Sequence, residues 1–396
     1  MQPIFHGENQ PKSSEQFLNL FYPIIKKNRQ AMTKVLHVYK TYYPDTFGGV
    51  EHVISTLAKN AKNHHIDTEI FCLTSGQTRT DFFDGIKVHY VHAPVTIASM
   101  PLSWGAFSSF KSLAKNFDTI HYHFPFPLMD LWHFYANAKA KFVLTYHSDI
   151  IKQKTTAFFY RPIMDCFLKK MDAIVTTSPP YLSTSKTLQK HKEKVHIIPI
   201  GIDAEDYPKP CNTNVQLYRQ KFGDIFFVFV GVLRYYKGIH TLIEAVRYLP
   251  HIKIVIAGKG PVEGELQQQA KDLENVFFMG AVTEQEKIDL LHASSGFVFP
   301  SHLRSEAFGI SLLEGAMCEK PLISCEIGTG TTYINLDHET GLAVPPNDAA
   351  ALGHALSKLY DDKELREKYG VNAKLRYRDL FLKEKMVTDY VRIYQS

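Results

Sequence analysis

The chain has 396 residues, of which 45% are hydrophobic and 21% charged, with a formal net charge of +5 and a mean hydropathy of −0.17. That length corresponds to two domains at ~150 residues each, and that balance belongs to a globular protein rather than a disordered one. The longest apolar run, Ile225 to Leu233, falls far short of the ~18 residues of a helical membrane span.

Charge is unevenly spread. Residues 1–200 hold 23 Lys and Arg against 14 Asp and Glu, a net of +9, whereas residues 201–396 hold 22 against 26, a net of −4. Two halves of opposite charge suggest two domains with different partners. No block of five basic residues occurs and the isoelectric point is only about 8.7, which argues against a nucleic-acid binder. Cys72, Cys166, Cys211, Cys318 and Cys325 are odd in number, widely spaced and never in a C-x-x-C pair. They argue against a disulfide framework or zinc site and for a reducing cytoplasm. All five are expected to pack as small buried apolar groups.

Residues 1–31 are polar and irregular apart from Phe17 to Tyr22, and they do not form a signal-peptide pattern. They are expected to be a loose tail, or an upstream extension of a chain that starts at Met32. After Lys34 the pattern is steady. Short β-rich runs are expected at Val35–Tyr39, Glu69–Leu73, Lys87–Val91, Thr119–Tyr122, Phe142–Tyr146, Ala173–Thr177 and Val195–Ile200. Helix-period stretches lie between several of them, at Val50–Asn60, Trp104–Phe117 and Phe158–Met171. Pro199 to Asp203, followed by Pro208 and Pro210, marks a linker. The alternation then repeats, with strands expected at Ile225–Val230, Ile252–Ala257, Val276–Met279, Gly296–Phe299, Pro321–Ser324 and Leu342–Val344. Helices are expected at Ile239–Arg247, Val262–Leu273, Thr283–His292 and Gly309–Cys318, and nearly throughout Ala349–Gln395. Such alternation predicts parallel β-α units in two Rossmann-like domains facing across a cleft. Ligands of such sheets sit beyond the carboxyl ends of the strands, so the residues that follow each strand are the candidates.

Gly48-Gly49 follows the first strand and opens a helix, where backbone N–H groups can approach a phosphate. His147 directly follows the strand that ends at Tyr146, placed to hydrogen-bond a sugar hydroxyl or relay a proton. Arg234 and Lys237 follow Val230 and supply the positive charge that a diphosphate needs. Gly258 opens another loop. In Ser301 to Gly315, Glu306 precedes and Glu314 follows a loop–helix junction at Phe308, Gly309 and Ile310. Backbone amides there form an anion site, and a carboxylate on each side can bind hydroxyls of the two sugars of a nucleotide sugar.

Together, Phe47-Gly48-Gly49-Val50-Glu51, Tyr146-His147-Ser148-Asp149, Ile198 to Asp203, Arg234 to Gly238 and Glu306 to Glu314 resemble the retaining glycosyltransferases of family 4, which have the GT-B fold. The resemblance spans residues 33–396. It implies an acceptor domain at 32–203, a nucleotide-sugar domain at 204–378, and a final helix at 379–396 crossing back to the first domain. It also implies roles. Glu314 holds the ribose, Glu306 the transferred sugar, and His147 reaches that sugar from the first domain. Lys237 and Arg234 neutralise the diphosphate, with Gly48, Gly49, Gly258, Phe308, Gly309 and Ile310 around it and the base near Val282. Val232 stands where the family commonly has arginine, so Arg234 would have to replace it, and Gly328 to Tyr333 departs from the family's Gly-Gly and Pro-Glu pattern. The resemblance leans toward bacterial mannosyl- and rhamnosyltransferases of surface polysaccharide assembly. It points to a GDP-sugar donor, a lipid-linked or oligosaccharide acceptor, no cofactor and no metal ion. The alternatives are a UDP-sugar transferase of the same fold and a non-catalytic nucleotide-sugar binder. Lys111, Lys115, Lys152, Lys154, Lys169 and Lys170 would set a cytoplasmic enzyme against anionic lipid at the inner membrane face.

Overall fold

The computed structural model describes residues 32–97, 100–150 and 154–396, with the backbone alone for 154–159. The extension 1–31, Lys152 and the side chain of Lys154 lie outside the described residues.

The first sheet is built from β1 (Thr33–Val38), β2 (Ile66–Thr74), β3 (Arg79–Phe83) and β4 (Ile86–His92). After a small separate hairpin of β5 (Val95–Ile97) and β6 (Met100–Leu102), it continues with β7 (Thr119–Phe124), β8 (Lys141–Tyr146), β9 (Ala173–Thr176) and β10 (Val195–Ile197). The spatial order is β10-β9-β8-β7-β1-β2-β4-β3, parallel except for β3, which pairs antiparallel with β4. The second sheet holds β11 (Phe226–Val230), β12 (Lys253–Ala257), β13 (Val276–Gly280), β14 (Gly296–Phe299), β15 (Leu322–Cys325) and β16 (Gly341–Val344). Its order is β13-β12-β11-β14-β15-β16, parallel throughout. Continuous apolar runs make these strands because helices cover both faces of a parallel sheet: every residue of β11, β14 and β15 is buried. Each sheet reverses its winding once, between β1 and β7 and between β11 and β14, and such a reversal opens a crevice at the strands' carboxyl ends.

Several elements depart from the expectation. Pro127–Ala136 is a helix despite Pro125 and Pro127, because Pro127 occupies its first turn, where no N–H is needed. Asn212–Phe222, which follows the expected linker in a stretch where no element was expected, is also a helix. The stretch 349–395 is three helices, interrupted at Asp362, whose carboxylate accepts from Leu365 N at 2.8 Å and caps the second of them, and at Leu382. All five thiols are free, but only Cys72, Cys318 and Cys325 are buried. Cys166 and Cys211 are exposed, because Cys166 lies on the outer face of the Lys154–Lys170 helix and Cys211 caps Asn212–Phe222.

The last helix, Lys383–Gln395, returns to the first sheet and packs on the Gly49–Ala61 helix, β1 and β8. Tyr390 Oη meets Thr145 Oγ1 at 2.8 Å and Tyr394 Oη meets His121 Nδ1 at 2.7 Å. Both chain crossings meet at Gly201, where an added Cβ would lie 2.3 Å from the Leu382 carbonyl oxygen. Gly201→Ala should therefore lower unfolding free energy by about 1–3 kcal/mol through overpacking, measured by urea denaturation.

Candidate active site

A cavity of about 830 Å³ lies between the carboxyl edges of the two sheets. Its first-domain wall is Phe47, Gly48, Gly49 and His52. Glu51, in the first turn of the Gly49–Ala61 helix, draws this loop in by accepting from Thr41 Oγ1 at 3.1 Å and Thr46 Oγ1 at 2.9 Å. A Cβ on Gly49 would sit 3.4 Å from Ile310 Cδ1, so the two domains touch here. The floor comes from the loops after β11, β12 and β13, including Gly231, Gly258 and Val282. Gly258 has φ +140°, and a Cβ there would fall 2.0 Å from Gly231 O. Only glycine permits this backbone-on-backbone approach.

Ile310, Ser311 and Glu314 of the Ile310–Met317 helix form the back wall. Glu314 is buried and its Oε1 accepts from Tyr207 Oη at 3.0 Å and from Lys287 Nζ at 2.8 Å. Lys287 also pairs with Glu284 at 2.8 Å. Burial works against the Lys287 ammonium, but the Glu314 and Glu284 carboxylates outweigh it and raise its pKa. Glu314 is thus held by two donors at one fixed place in the wall.

A second ion pair stands beside the first region. Lys237 and Glu306 are both buried and bonded to each other, and Glu306 also accepts from Ser301 Oγ at 3.2 Å. Lys237 Nζ lies 4.6 Å from the centre of the Phe299 ring, and a Cβ on Gly309 would lie 3.0 Å from the same ring. Phe299, the last residue of β14, therefore sits between the lysine and the N-terminal cap of the Ile310–Met317 helix. Gly309 is that cap, at φ +99°.

Of the residues expected from the sequence, Gly48, Gly49, Gly258, Val282, Ile310 and Glu314 line the one cavity. His147, Lys237, Arg234, Glu306, Phe308 and Gly309 do not line it. The Phe308 side chain is buried instead against Phe381, ring centres 6.0 Å apart, which leaves only its backbone for a ligand. Arg234 is exposed and lines a separate cavity of about 100 Å³ with Tyr235, His240 and Glu265. Its charge still crosses the cleft: the Lys40 ammonium is lowered by burial, against which Glu51 works, and then by Arg234. Sequence reasoning missed Tyr207, Lys259 and Lys287 as wall residues. Lys287 looks like an ordinary helix-surface partner of Glu284, three residues before it; only the nearness of a separate helix reveals Glu314.

It also missed a buried file of histidines. His121 and His123 alternate along β7 and so share a face, next to His37 on β1. His37 Nδ1 meets His123 Nε2 at 3.0 Å, and His123 Nδ1 meets His147 Nε2 at 3.0 Å. His121 is engaged elsewhere, by Tyr394 and by Thr145 Oγ1 at 2.7 Å. His37, His121 and His123 place ligand atoms within 4.8 Å of one another; five of their six ring nitrogens have hydrogen-bond partners and His37 Nε2 has none. Burial lowers all four pKa values, His37 and His147 to about 3.

The unfolded chain protonates these imidazoles near pH 6.5, whereas folded His37 and His147 resist to about 3. Below pH 6.5 the unfolded state therefore binds more protons, and stability falls with falling pH. The expected loss at pH 5 is on the order of 2 kcal/mol for each of the two, read from urea unfolding at pH 7.5 and pH 5. His37→Gln should flatten the dependence.

Residues 47–206 match the family model described as Glycosyltransferase Family 4, and residues 216–376 match Glycosyl transferases group 1. The chain is 43% identical over 366 residues to the O-antigen chain mannosyltransferase C of Escherichia coli, spanning 92% of this chain and 98% of that protein. It is 46% identical over 351 residues to the D-rhamnosyltransferase WbpZ of Pseudomonas aeruginosa, spanning 88% and 92%. Among solved structures, a sucrose-phosphate synthase from Thermosynechococcus elongatus is similar with a TM-score of 0.74 at 18% identity, over 92% of this chain and 98% of that one.

Proposed function

The chain belongs to glycosyltransferase family 4 and has the GT-B fold, and from that premise we propose that it transfers a hexose of mannose type from a GDP-linked donor. The acceptor in this reading is a lipid-linked or oligosaccharide intermediate of O-antigen assembly. The observation that carries it is the identity of 43% and 46%, over nearly the whole chain, to a mannosyltransferase and a D-rhamnosyltransferase. D-rhamnose is 6-deoxy-D-mannose, so both names describe sugars that share every ring stereocentre.

In this reading Glu314, fixed by Lys287 and Tyr207, accepts the two ribose hydroxyls. The base lies along the backbone at Val282. Gly48, Gly49 and the amides of Gly309 and Ile310 close on the diphosphate. Departure of the nucleotide concentrates negative charge on that diphosphate, and the group that meets it must already be in place. Lys237, held by Glu306 and Phe299, fills this role, with Arg234 as a second cation. Glu306 also binds hydroxyls of the transferred sugar and is assigned no nucleophilic role. The acceptor attacks the face the nucleotide leaves, its proton passing to the departing phosphate, which gives retention.

A panel of GDP-, UDP- and ADP-sugars in a thermal-shift assay should show the largest rise in Tm with GDP-mannose or GDP-D-rhamnose. A larger rise with a UDP-sugar would overturn the donor. Lys237→Ala should lower kcat about 10²–10³-fold, the scale of removing one preorganised charge-stabilising group, and near wild-type turnover would remove its role. EDTA should leave the rate unchanged, and NMR of the product should show the donor's anomeric configuration.

Membrane contact through the first domain forms part of the proposal. Trp104 is 87% exposed and stacks on Phe107 at 6.0 Å, and Phe107 meets Tyr135 at 5.6 Å. Lys111 lies over the Tyr135 ring at 4.6 Å. Exposed aromatics beside lysine suit a headgroup layer, and Lys115, Lys169 and Lys170 are exposed as well. Among the described residues no helix is long and apolar enough to cross a membrane. Co-sedimentation with anionic vesicles at low salt should be lost in Trp104→Ser with Lys111→Ser. Equal binding by wild type to neutral and anionic vesicles would contradict the electrostatic part.

A further inference from the structure

We propose that His123 and His37 are positioning residues that hold His147 in a single tautomer, with its Nδ1–H presented to the cleft. The inference deepens the reading of His147 as a ligand of the donor sugar, and rests on it.

His147 is the first residue after β8, and its backbone N donates to Phe124 O at 3.0 Å. Its Nε2 is occupied by His123 Nδ1, and His123 Nε2 by His37 Nδ1, both at 3.0 Å. The rings are stacked along the file, 5.3 Å apart with interplanar angles of 19° and 25°. His121 packs on His123 at 4.2 Å between ring centres and is itself held at both nitrogens. The middle ring therefore has little freedom to turn.

A neutral imidazole has one N–H and one lone pair. Two contacts among three such rings allow only two proton orders. In the first, His37 Nδ1–H donates to His123 Nε2, and His123 Nδ1–H donates to His147 Nε2. That leaves N–H at His147 Nδ1 and a lone pair at His37 Nε2. In the second, every donor and acceptor is exchanged, which leaves an N–H at His37 Nε2. His37 is 0% exposed and its Nε2 is a fully buried atom with no hydrogen-bond partner, whereas His147 Nδ1, which carries the N–H in the first order, is not fully buried. A stranded buried N–H is the rarer defect in folded proteins than an under-satisfied acceptor. The first order is therefore the one selected. Burial keeps the rings uncharged at neutral pH, so no third arrangement with an extra proton competes.

The chemical consequence is a directional one. His147 offers a neutral donor to an oxygen lone pair, such as that of a sugar hydroxyl. It cannot accept a proton at Nδ1, so it is a hydrogen-bond donor rather than a general base in the transfer.

Long-range ¹H–¹⁵N correlation on ¹⁵N-histidine-labelled protein at pH 7.5 reads the tautomer without any variant; His147→Asn identifies the signal. The expected result is a protonated, pyrrole-type Nδ1 and a pyridine-type Nε2 at His147. The reverse pattern overturns the proposal, as does a shift of these signals on adding EDTA, which would show that the imidazoles hold a metal. His123→Asn keeps a side-chain N–H near the Nδ1 position, whereas His123→Leu removes it. The Asn variant should keep the single tautomer and kcat/KM within about threefold, while the Leu variant should show mixed tautomers and lose about tenfold, the equivalent of one hydrogen bond. Unchanged kcat/KM in a folded Leu variant with mixed tautomers would also overturn it. His147→Ala tests the underlying reading separately: unchanged donor KM and kcat there would remove the sugar contact while leaving the tautomer result standing.

Discussion

In a parallel sheet all strands point one way, so the loops that follow them gather at one edge. This constraint organises the molecule. The Gly48-Gly49 loop follows β1, His147 follows β8, Gly231 follows β11, Gly258 follows β12 and the Ser301–Glu306 segment follows β14. Of these, Gly48, Gly49, Gly231 and Gly258 line one cavity, because two sheets turn these edges toward each other. The reversal of winding beside β1 and β11 spaces adjacent loops apart and leaves room for a ligand.

Beyond the carboxyl edge of the second sheet, local pairing matters more than domain charge. The second half of the chain carries a net −4, yet its buried carboxylates Glu314 and Glu306 are matched to Lys287 and Lys237. Each pair sits in a largely dry setting, where an unmatched charge would be costly. The carboxylates are consequently fixed in direction, and each retains oxygen lone pairs for further donors. Net charge over a whole domain says little about which anion that domain accommodates.

Legibility differed by element, for physical reasons. Strands such as β11, Phe226–Val230, were legible because burial on both faces demands an unbroken apolar run. The edge strand β3, Arg79–Phe83, was not, because no residue in it is buried and nothing in its sequence demands a strand. The Pro127–Ala136 helix hid behind prolines that normally signal a break. Site residues carried on loops directly after strands, such as Gly49 and Gly258, were legible from position. Lys287 and the histidines were not. His121 and His123 announce a shared face by their spacing, but their relation to His37 depends on β1 lying beside β7, a pairing of strands distant in sequence. Arg234 was legible only as a cation that follows a strand: the turn after it leaves the residue exposed beside Tyr235, outside the wall of the larger cavity.

The return of Lys383–Gln395 to the first sheet also bears on synthesis. Tyr390 and Tyr394 supply hydroxyl partners to Thr145 and His121 in the interior of that sheet. A chain emerging from the ribosome makes all of β1 to β10 long before those tyrosines exist. The first domain's buried polar cluster must then wait, incomplete, while the entire second domain is translated. Order of translation and order of completion are inverted: the domain begun first is finished last.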